Sequence, residues 1–589
     1  MFSFFSLLLS ACKWDKRPSI IKNNKETGTK LFEKGDKEEG VSVFFFDNDN
    51  VVNEKGTGFT RLERPNHHSI GSSDCYMVKS GTTDLLVDGG YQSSTSTDQH
   101  VGQDSSNSAY KRELHNKCVA DECKQNLLRK IASVISSDGI LDYLIVTHAD
   151  YDHLAALIVQ GGIFDVFLNH QSIDPLKGKP VRFDKIRFLI DFDSGLVKKF
   201  SDESIDKQKR LVRSEVYQEY VCKRNKLIEA GTCYCPAAAF FNSENLQKQS
   251  TSITKEHKEI AMPDAIVKKI KKEGEKTGVK HLFDENIGND TKTKRDEEYK
   301  DEDLLSTSYG QIKKTKTTGG EYRYYYFLRF NGGELRILYN WHYDFIYHSS
   351  FNASTPGEER TQLEKEEAYD SQDANNICVC FEVVKKGFKF LSLGDLGRNG
   401  ENGLLKYYRD TDVLSTTTLF KASHHGSTTN KENSEELFKI VKPAIIVITG
   451  CTIYPGSVSD ADPIKQARHG RTRPKQDLFD HISKAYSKKE ANPIILCTNI
   501  ASRRAADKAD WFESAPFYGD IKAVFHGRKV YLSHSYVGSI KAYISKDWNS
   551  EYYHQHHREY AFKTRKNNRM RSFQETEWFK DIGFVYGGN

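Results

Sequence analysis

The apolar run Leu141, Tyr143, Leu144, Ile145, Val146 ends abruptly in Thr-His-Ala-Asp-Tyr-Asp-His, residues 147–153. Its length and β-branched content suit a buried strand. A tight loop at the end of such a strand can aim His148, Asp150, Asp152 and His153 at one point. Imidazole suits zinc and carboxylate adds hard oxygen, so two His and two Asp can divide between two ions that share a bridging water. A plain strand-to-helix loop, with Asp150 or Asp152 capping a helix that begins near Leu154, accounts for one carboxylate. It leaves two His and a second Asp without a reason to crowd together.

The chain of 589 residues has room for two or three domain-sized cores, or for one large domain with long insertions. With 37% hydrophobic and 28% charged residues its composition is that of a soluble protein, and 30 Tyr with 34 Phe fit many short half-buried strands. A net charge of +5 is too small at this length to argue for or against a nucleic-acid partner. No segment reads as a transmembrane helix. The first residues, Met1 to Cys12, form an apolar run of the length of a secretory signal core, and Leu9-Ser10-Ala11-Cys12 resembles a lipobox. Membrane anchoring through Cys12 is the expectation and cytoplasmic residence the alternative, since no Lys or Arg precedes the run. Cys233-Tyr-Cys235 and Cys378-Val-Cys380 lack zinc-ribbon spacing and read as reduced thiols.

Five segments are expected: an apolar and polar N-terminal stretch over 1–40, a first layered α/β half over 41–201, a charged, mostly helical insertion over 202–318, a second half over 319–538, and a tail over 539–589. Alternating strands and helices with buried apolar strands point to the α/β class. Within the first half, two strands flank the turn at Gly81, and the second ends in Asp88-Gly89-Gly90; Asp88 can support a metal ligand from behind. Helical spacing runs between Asn116 and Ser137 and resumes over Leu154–Val159. Val166–His170 and Ile186–Ile190 read as strands. In the second half, Asn331-Gly332 marks a hairpin. A further hairpin over Asn375–Asp395 delivers Asp395 at a strand end, where a short, stiffly held carboxylate suits bridging of two cations. Then comes Lys421-Ala-Ser-His424-His425-Gly-Ser427. Adjacent side chains on an extended chain face opposite ways, so one His can ligate metal while the other faces substrate. A later loop carries His469, a candidate substrate contact with Ser427. The tail mixes Arg558, Lys563, Arg565, Lys566, Arg569 and Arg571 with aromatic residues, which suits a nucleic-acid strand or a docked amphipathic helix equally.

These motifs together resemble the metallo-β-lactamase fold superfamily, most closely the hydrolase domain of ComEC-type competence proteins, over roughly Ser69 to Leu532. The carriers are Leu85–Gly90, Thr147–His153, Asn375–Asp395 and Ser423–Ser427, in the family's order. The resemblance implies an αββα sandwich in which His148 and Asp150 bind one zinc, Asp152 and His153 the other, Asp395 bridges them, and His424 or His425 completes a shell. His424 is taken as the ligand. The wider superfamily has His where this chain has Asp150, so the site is oxygen-richer and manganese or magnesium becomes an option beside zinc. A further family His has no secure counterpart; His170 and His342 are candidates by position only.

The expected activity is that of a metal-dependent hydrolase with a hydroxide held between two divalent ions by Asp152 and Asp395. A phosphodiester gains most from such a site, with Lys421, His425 and Ser427 on the phosphate. DNA or RNA is the expected substrate class, by analogy with the competence-type hydrolases. Hydrolysis of small esters, lactones, β-lactams or phosphocholine esters is the alternative within enzymes, and a non-catalytic scaffold the alternative outside them.

Overall fold

Short runs of alternating apolar residues, closed by glycine turns, build most of the strands. The Gly81 and Gly387 turns each lie at positive φ, and each joins two antiparallel strands: Tyr76–Ser80 to Thr83–Val87 and Phe381–Lys385 to Phe388–Ser392. The computed structural model describes residues 19–26, 28–32, 40–47, 50–52, 59–61, 74–90, 124–192, 215–237, 311–320, 322–340, 374–428, 432–453, 476–486, 493–498, 500–502, 509–517, 519–526, 529–535 and 538–545. They form a mixed α/β fold.

Among the described residues one sheet has nine strands. Their order is Ser19–Lys25, Lys529–His534, Ile521–His526, Val41–Phe45, Tyr76–Ser80, Thr83–Val87, Ile140–Val146, Lys185–Asp191, Cys233–Pro236. The other has eight, in the order Gln311–Lys316, Tyr322–Phe330, Gly333–Ile337, Phe381–Lys385, Phe388–Ser392, Leu419–Lys421, Ile445–Ile448, Ile494–Cys497.

Side-chain alternation settles what each face of the second sheet buries. Phe381, Val383, Phe388, Phe390, Leu419, Ile445 and Val447 share one apolar cluster with Val43, Phe45, Leu85, Val87 and Leu144 of the first sheet. Their neighbours Leu391, Phe420, Ile446, Ile448 and Ile495 join a separate cluster with Leu404, Leu405, Leu437, Phe438, Leu478 and Ile482. Those residues belong to the helices Arg398–Tyr408, Glu435–Val441 and Gln476–Ala485. Phe390 packs edge-on against both Phe45 and Tyr76, at 6.0 and 5.8 Å between ring centroids. Beside it the Tyr76 hydroxyl and Ser392 Oγ share a 2.6 Å hydrogen bond across the sheets.

In the first sheet Thr83–Val87, Ile140–Val146 and Lys185–Asp191 run parallel. In the second, Phe388–Ser392, Leu419–Lys421, Ile445–Ile448 and Ile494–Cys497 do so. Loops that leave the carboxyl ends of parallel strands gather at one edge, which is where open α/β sheets bind ligands.

Several expectations change. Val166–His170 is not a strand: Ile163–Leu168 is a helix entered from Gly162. A short continuous apolar run fits either element, and here its buried residues Ile163, Phe164, Val166 and Phe167 lie at helical spacing. The stretch read as an insertion contributes to both sheets. Its helix Glu215–Glu229 buries Arg224 against Asp191, and Tyr220 and Tyr234 donate hydroxyls to the same carboxylate at 2.6 and 2.8 Å. The following strand Cys233–Pro236 pairs with the end of Lys185–Asp191, and Gln311–Lys316 opens the second sheet. In the N-terminal stretch, Ser19–Lys25 pairs parallel with Lys529–His534. Cys12 and the cationic tail residues lie outside the described residues, apart from the strand Gly538–Ser545 on Ala509–Phe517. No helix among the described residues is long and apolar enough to cross a membrane.

Because Phe390 is fully buried where the two sheets meet, Phe390→Ala should lower unfolding free energy by about 3–5 kcal/mol. Urea titration followed by circular dichroism measures this; a loss under about 1 kcal/mol would mean that the sheets do not depend on that contact.

Candidate metal centre

Asp88 is the first piece of the site. It follows the last residue of Thr83–Val87 in a left-handed conformation (φ 54°), and its buried carboxylate is fully used. Oδ1 accepts the Thr147 backbone N–H at 2.7 Å, while Oδ2 accepts the Thr147 hydroxyl at 2.7 Å and stands 2.8 Å from His153 Nδ1. Gly89 lets this turn lie against the helix Tyr151–Ile158: a Cβ there would come within 2.7 Å of the Leu157 backbone nitrogen.

With its Nδ1 engaged by Asp88, His153 turns Nε2 the other way, towards Asp395 Oδ2, and His425 and Asp152 continue the series of contacts from there. Asp395 Oδ2 is 3.3 Å from His153 Nε2 and 3.2 Å from His425 Nε2, and Asp152 Oδ2 is 3.1 Å from His425 Nε2. His425 Nδ1 is held behind by the Thr449 carbonyl at 3.0 Å. Tetrahedral zinc with ligand bonds of about 2.0–2.1 Å separates its ligand atoms by about 3.3 Å, so the spacing of Asp395 Oδ2 from the two imidazole nitrogens suits such an ion. An acceptor behind each ligating imidazole is the usual means of fixing its tautomer.

Gly394 admits Asp395 to this point. It sits at φ 58°, and a Cβ there would approach Thr147 Cβ to 3.0 Å and Cys378 Sγ to 3.2 Å. Asp395 N donates to Cys378 Sγ at 3.2 Å; Cys378 and Cys380 are both buried thiols outside any disulfide. Val379 N donates to the Thr147 carbonyl at 2.9 Å, tying the two sheets together beside Asp395.

The His-His pair answers which ring faces the centre. Consecutive left-handed residues, His424 at φ 49° and His425 at φ 54°, aim the rings apart at a backbone cost of about 1–3 kcal/mol each. His425 joins the carboxylates. His424 does not: its Nδ1 lies 3.0 Å from Glu432 Oε1, and its Nε2 lies 3.5 Å from Asn375 Nδ2. The structure thus places His425, and not His424, beside Asp395 and His153, and side-chain alternation, which holds for extended backbone, could not decide this.

Lys421 and Ser427 also differ from expectation. Both are fully buried. Lys421 Nζ donates to the Gly394 carbonyl at 3.0 Å and to Asp395 Oδ1 at 3.2 Å, and contacts Asp74 Oδ2. Two carboxylates and a carbonyl thus surround the buried ammonium, away from any exposed phosphate position. Asp74 was not anticipated, although an Asp set immediately before the strand Tyr76–Ser80 was a signal of the same kind as Asp88. It lies within 4.8 Å of the cluster formed by His153, Asp395 and His425. Its oxygens face Lys421 and the Nδ1 edges of His425 (3.5 Å) and His153 (4.0 Å), behind the Nε2 side on which the other donors meet.

His148 and Asp150 stand to one side. The His148 ring is 4.0 Å from that of His153, its Nδ1 meets Thr147 Oγ1 at 3.0 Å, and its buried Nε2 makes no hydrogen bond among the described residues. The exposed Asp150 brings Oδ2 to 3.5 Å from that nitrogen. Asp150 begins the helix without capping it by a side-chain hydrogen bond. His469 and His342 lie outside the described residues; His170 is half-exposed near Asp184 and plays no part.

Charge follows the same plan. Burial raises Asp395 and Asp74, but His425, Lys421 and His153 outweigh it and hold both below the usual carboxylate range. Burial lowers His425, but Asp395 and Asp74 prevail and lift it to about 9; His153 is raised in the same way by Asp395 and Asp88. A scan against protein-family models finds no match for this chain, and a search of curated proteins finds no relative.

Two outcomes are expected. His425→Ala should lose bound zinc and His424→Ala should keep it, as read by elemental analysis after dialysis. With its pKa lifted to about 9, His425 should lose a proton when an ion binds, which calorimetry in buffers of different ionisation enthalpy measures as proton release. Affinity should accordingly rise as pH rises toward 9. In chelator-treated protein the raised His425 stabilises the fold below about pH 6.5, and this contribution is lost as pH rises through about 9.

Proposed function

We propose that the protein is a metal-dependent hydrolase of the metallo-β-lactamase type, built as an αββα sandwich and acting on a phosphodiester, with DNA or RNA as the substrate class. The observation that carries this reading is the clustering of His153, Asp395 and His425, with Asp395 Oδ2 3.3 Å from His153 Nε2 and 3.2 Å from His425 Nε2, and Asp152 Oδ2 a further 3.1 Å from His425 Nε2, from three segments of the chain distant in sequence. Shared burial by alternate residues of the two sheets, with helices on the far face of the second, supports the sandwich.

Residues Asp152, His153, Asp395 and His425 would hold one divalent ion. His148, with its unbonded buried Nε2, and Asp150 beside it would hold a second. Zinc suits the imidazoles; manganese is favoured by the share of carboxylates. Bound there, such ions act as Lewis acids and lower the pKa of a water into the physiological range.

The chain's own residues do the rest. Asp88 and the Thr449 carbonyl hold the protons on the Nδ1 atoms, so both Nε2 lone pairs point inward. Glu432 orients His424, which is 6% exposed and next to Asn375 Nδ2, so this ring and this amide are the groups placed to meet substrate oxygens. In the sequence reading that contact belonged to Lys421, His425 and Ser427. A dry, prearranged set of charges of this kind is the usual source of stabilisation for charge that develops on phosphorus oxygens.

Purified protein loaded with zinc or manganese should hydrolyse bis-p-nitrophenyl phosphate, and His153→Ala should lower kcat/KM at least about 1000-fold, with its circular dichroism spectrum retained. Full activity in that variant would remove this site from the reaction. Cleavage of single-stranded DNA, duplex DNA and RNA, measured side by side with phosphocholine esters, identifies the substrate class.

A further inference from the structure

Lys421 places a buried cation between two carboxylates of the centre. It ends the strand Leu419–Lys421 of the second sheet, its side chain is fully buried, and its ammonium donates to Gly394 O and Asp395 Oδ1 and forms an ion pair with Asp74 Oδ2. Asp74 belongs to the other sheet, at the entrance to Tyr76–Ser80. The ammonium thus takes one oxygen of Asp395 and leaves the other, Oδ2, facing His153 and His425.

We propose that Lys421 is a positioning residue: a built-in cation that, with Asp74 as its counter-ion, holds Asp395 in the one orientation that presents Oδ2 to a divalent ion. This rests on the reading of the cluster as a metal centre, and it assigns Lys421 and Asp74 a role in ion affinity and not in substrate contact. The physical reason is the crowding of carboxylates. Asp74, Asp88, Asp152 and Asp395 are buried together, and like charges at such range repel unless fixed positive charge stands between them. Asp88 is held by Thr147 and His153, and Asp152 faces His425. Asp74 and Asp395 share Lys421. Without the ammonium the Asp395 carboxylate has a single hydrogen-bonding side left and would be pushed away from Asp74, turning the oxygen that an ion needs.

The test measures binding, with zinc and manganese themselves as probes, by calorimetry and by ions retained per chain, on full-length protein. Lys421→Met should weaken ion binding 10- to 100-fold, the range found when partners behind metal ligands are removed. Asp74→Asn should weaken it in the same direction. A double variant, Asp74→Leu with Lys421→Met, separates positioning from fold: apolar replacement of a buried pair commonly restores stability, so its circular dichroism and urea midpoint should recover while its ion affinity stays low. Should Lys421→Met alone fail to fold, the double variant and Asp74→Asn carry the test. Ion affinity within threefold of wild type in the folded variants would overturn the proposal. A rise in ions bound per chain in Lys421→Met would overturn it too, since Lys421 would then be occupying an ion's place. Wild-type protein that binds neither metal would instead overturn the metal-centre reading itself.

Discussion

Four ionisable carboxylates closed off from water at one edge of two sheets are the constraint that the surrounding structure meets. Each buried charge costs several kcal/mol unless it is paired and hydrogen-bonded. Asp88 meets this by accepting from Thr147 and standing against His153; Asp152 by His425; Asp395 by His153, His425 and Lys421; Asp74 by Lys421. Each of these pairings needs a particular backbone. Three of the residues involved or adjacent, Asp88, His424 and His425, sit in the left-handed region that non-glycine residues avoid, and Gly394 is there because a side chain would strike Thr147 and Cys378. Local strain of this kind persists only where the packing around it is over-determined, and the two apolar clusters supply that packing.

The sheets position the centre from opposite sides. Thr147–His153 and Asp88 come from the carboxyl ends of parallel strands in the first sheet; Asp395, His425 and Thr449 come from the same ends in the second. Phe390 and the Tyr76–Ser392 hydrogen bond lock the sheets face to face a short distance below. A shift between the sheets would separate clustered His and Asp side chains that belong to different ones, so packing in the core and the spacing of the cluster are linked.

Much of this was legible in the sequence because it depends on local signals. The glycine hairpins, the buried strand before Thr147, the supporting carboxylate at Asp88 and the Gly-Asp turn at Asp395 are each set by a few neighbouring residues. What failed depended on partners far along the chain. Lys421 reads as a phosphate contact until Asp74, some 350 residues away, is seen to occupy it. The direction of the His424 and His425 rings is set by two left-handed residues that no propensity foretells, together with Glu432 and the Thr449 carbonyl. Val166–His170 was mistaken for a strand because a short apolar-rich run fits both periods, and Cys233–Pro236 was assigned to an insertion because parallel pairing leaves no local mark.

The central claim is that His153, His425, Asp152 and Asp395 form one cation-binding centre, and anomalous X-ray scattering at the zinc absorption edge, from crystals soaked in zinc, tests it most directly. The account predicts a strong peak within about 2.0–2.2 Å of His153 Nε2, His425 Nε2 and a carboxylate oxygen of Asp152 and Asp395. A crystal with zinc bound elsewhere on the chain and no peak between these four side chains would contradict it.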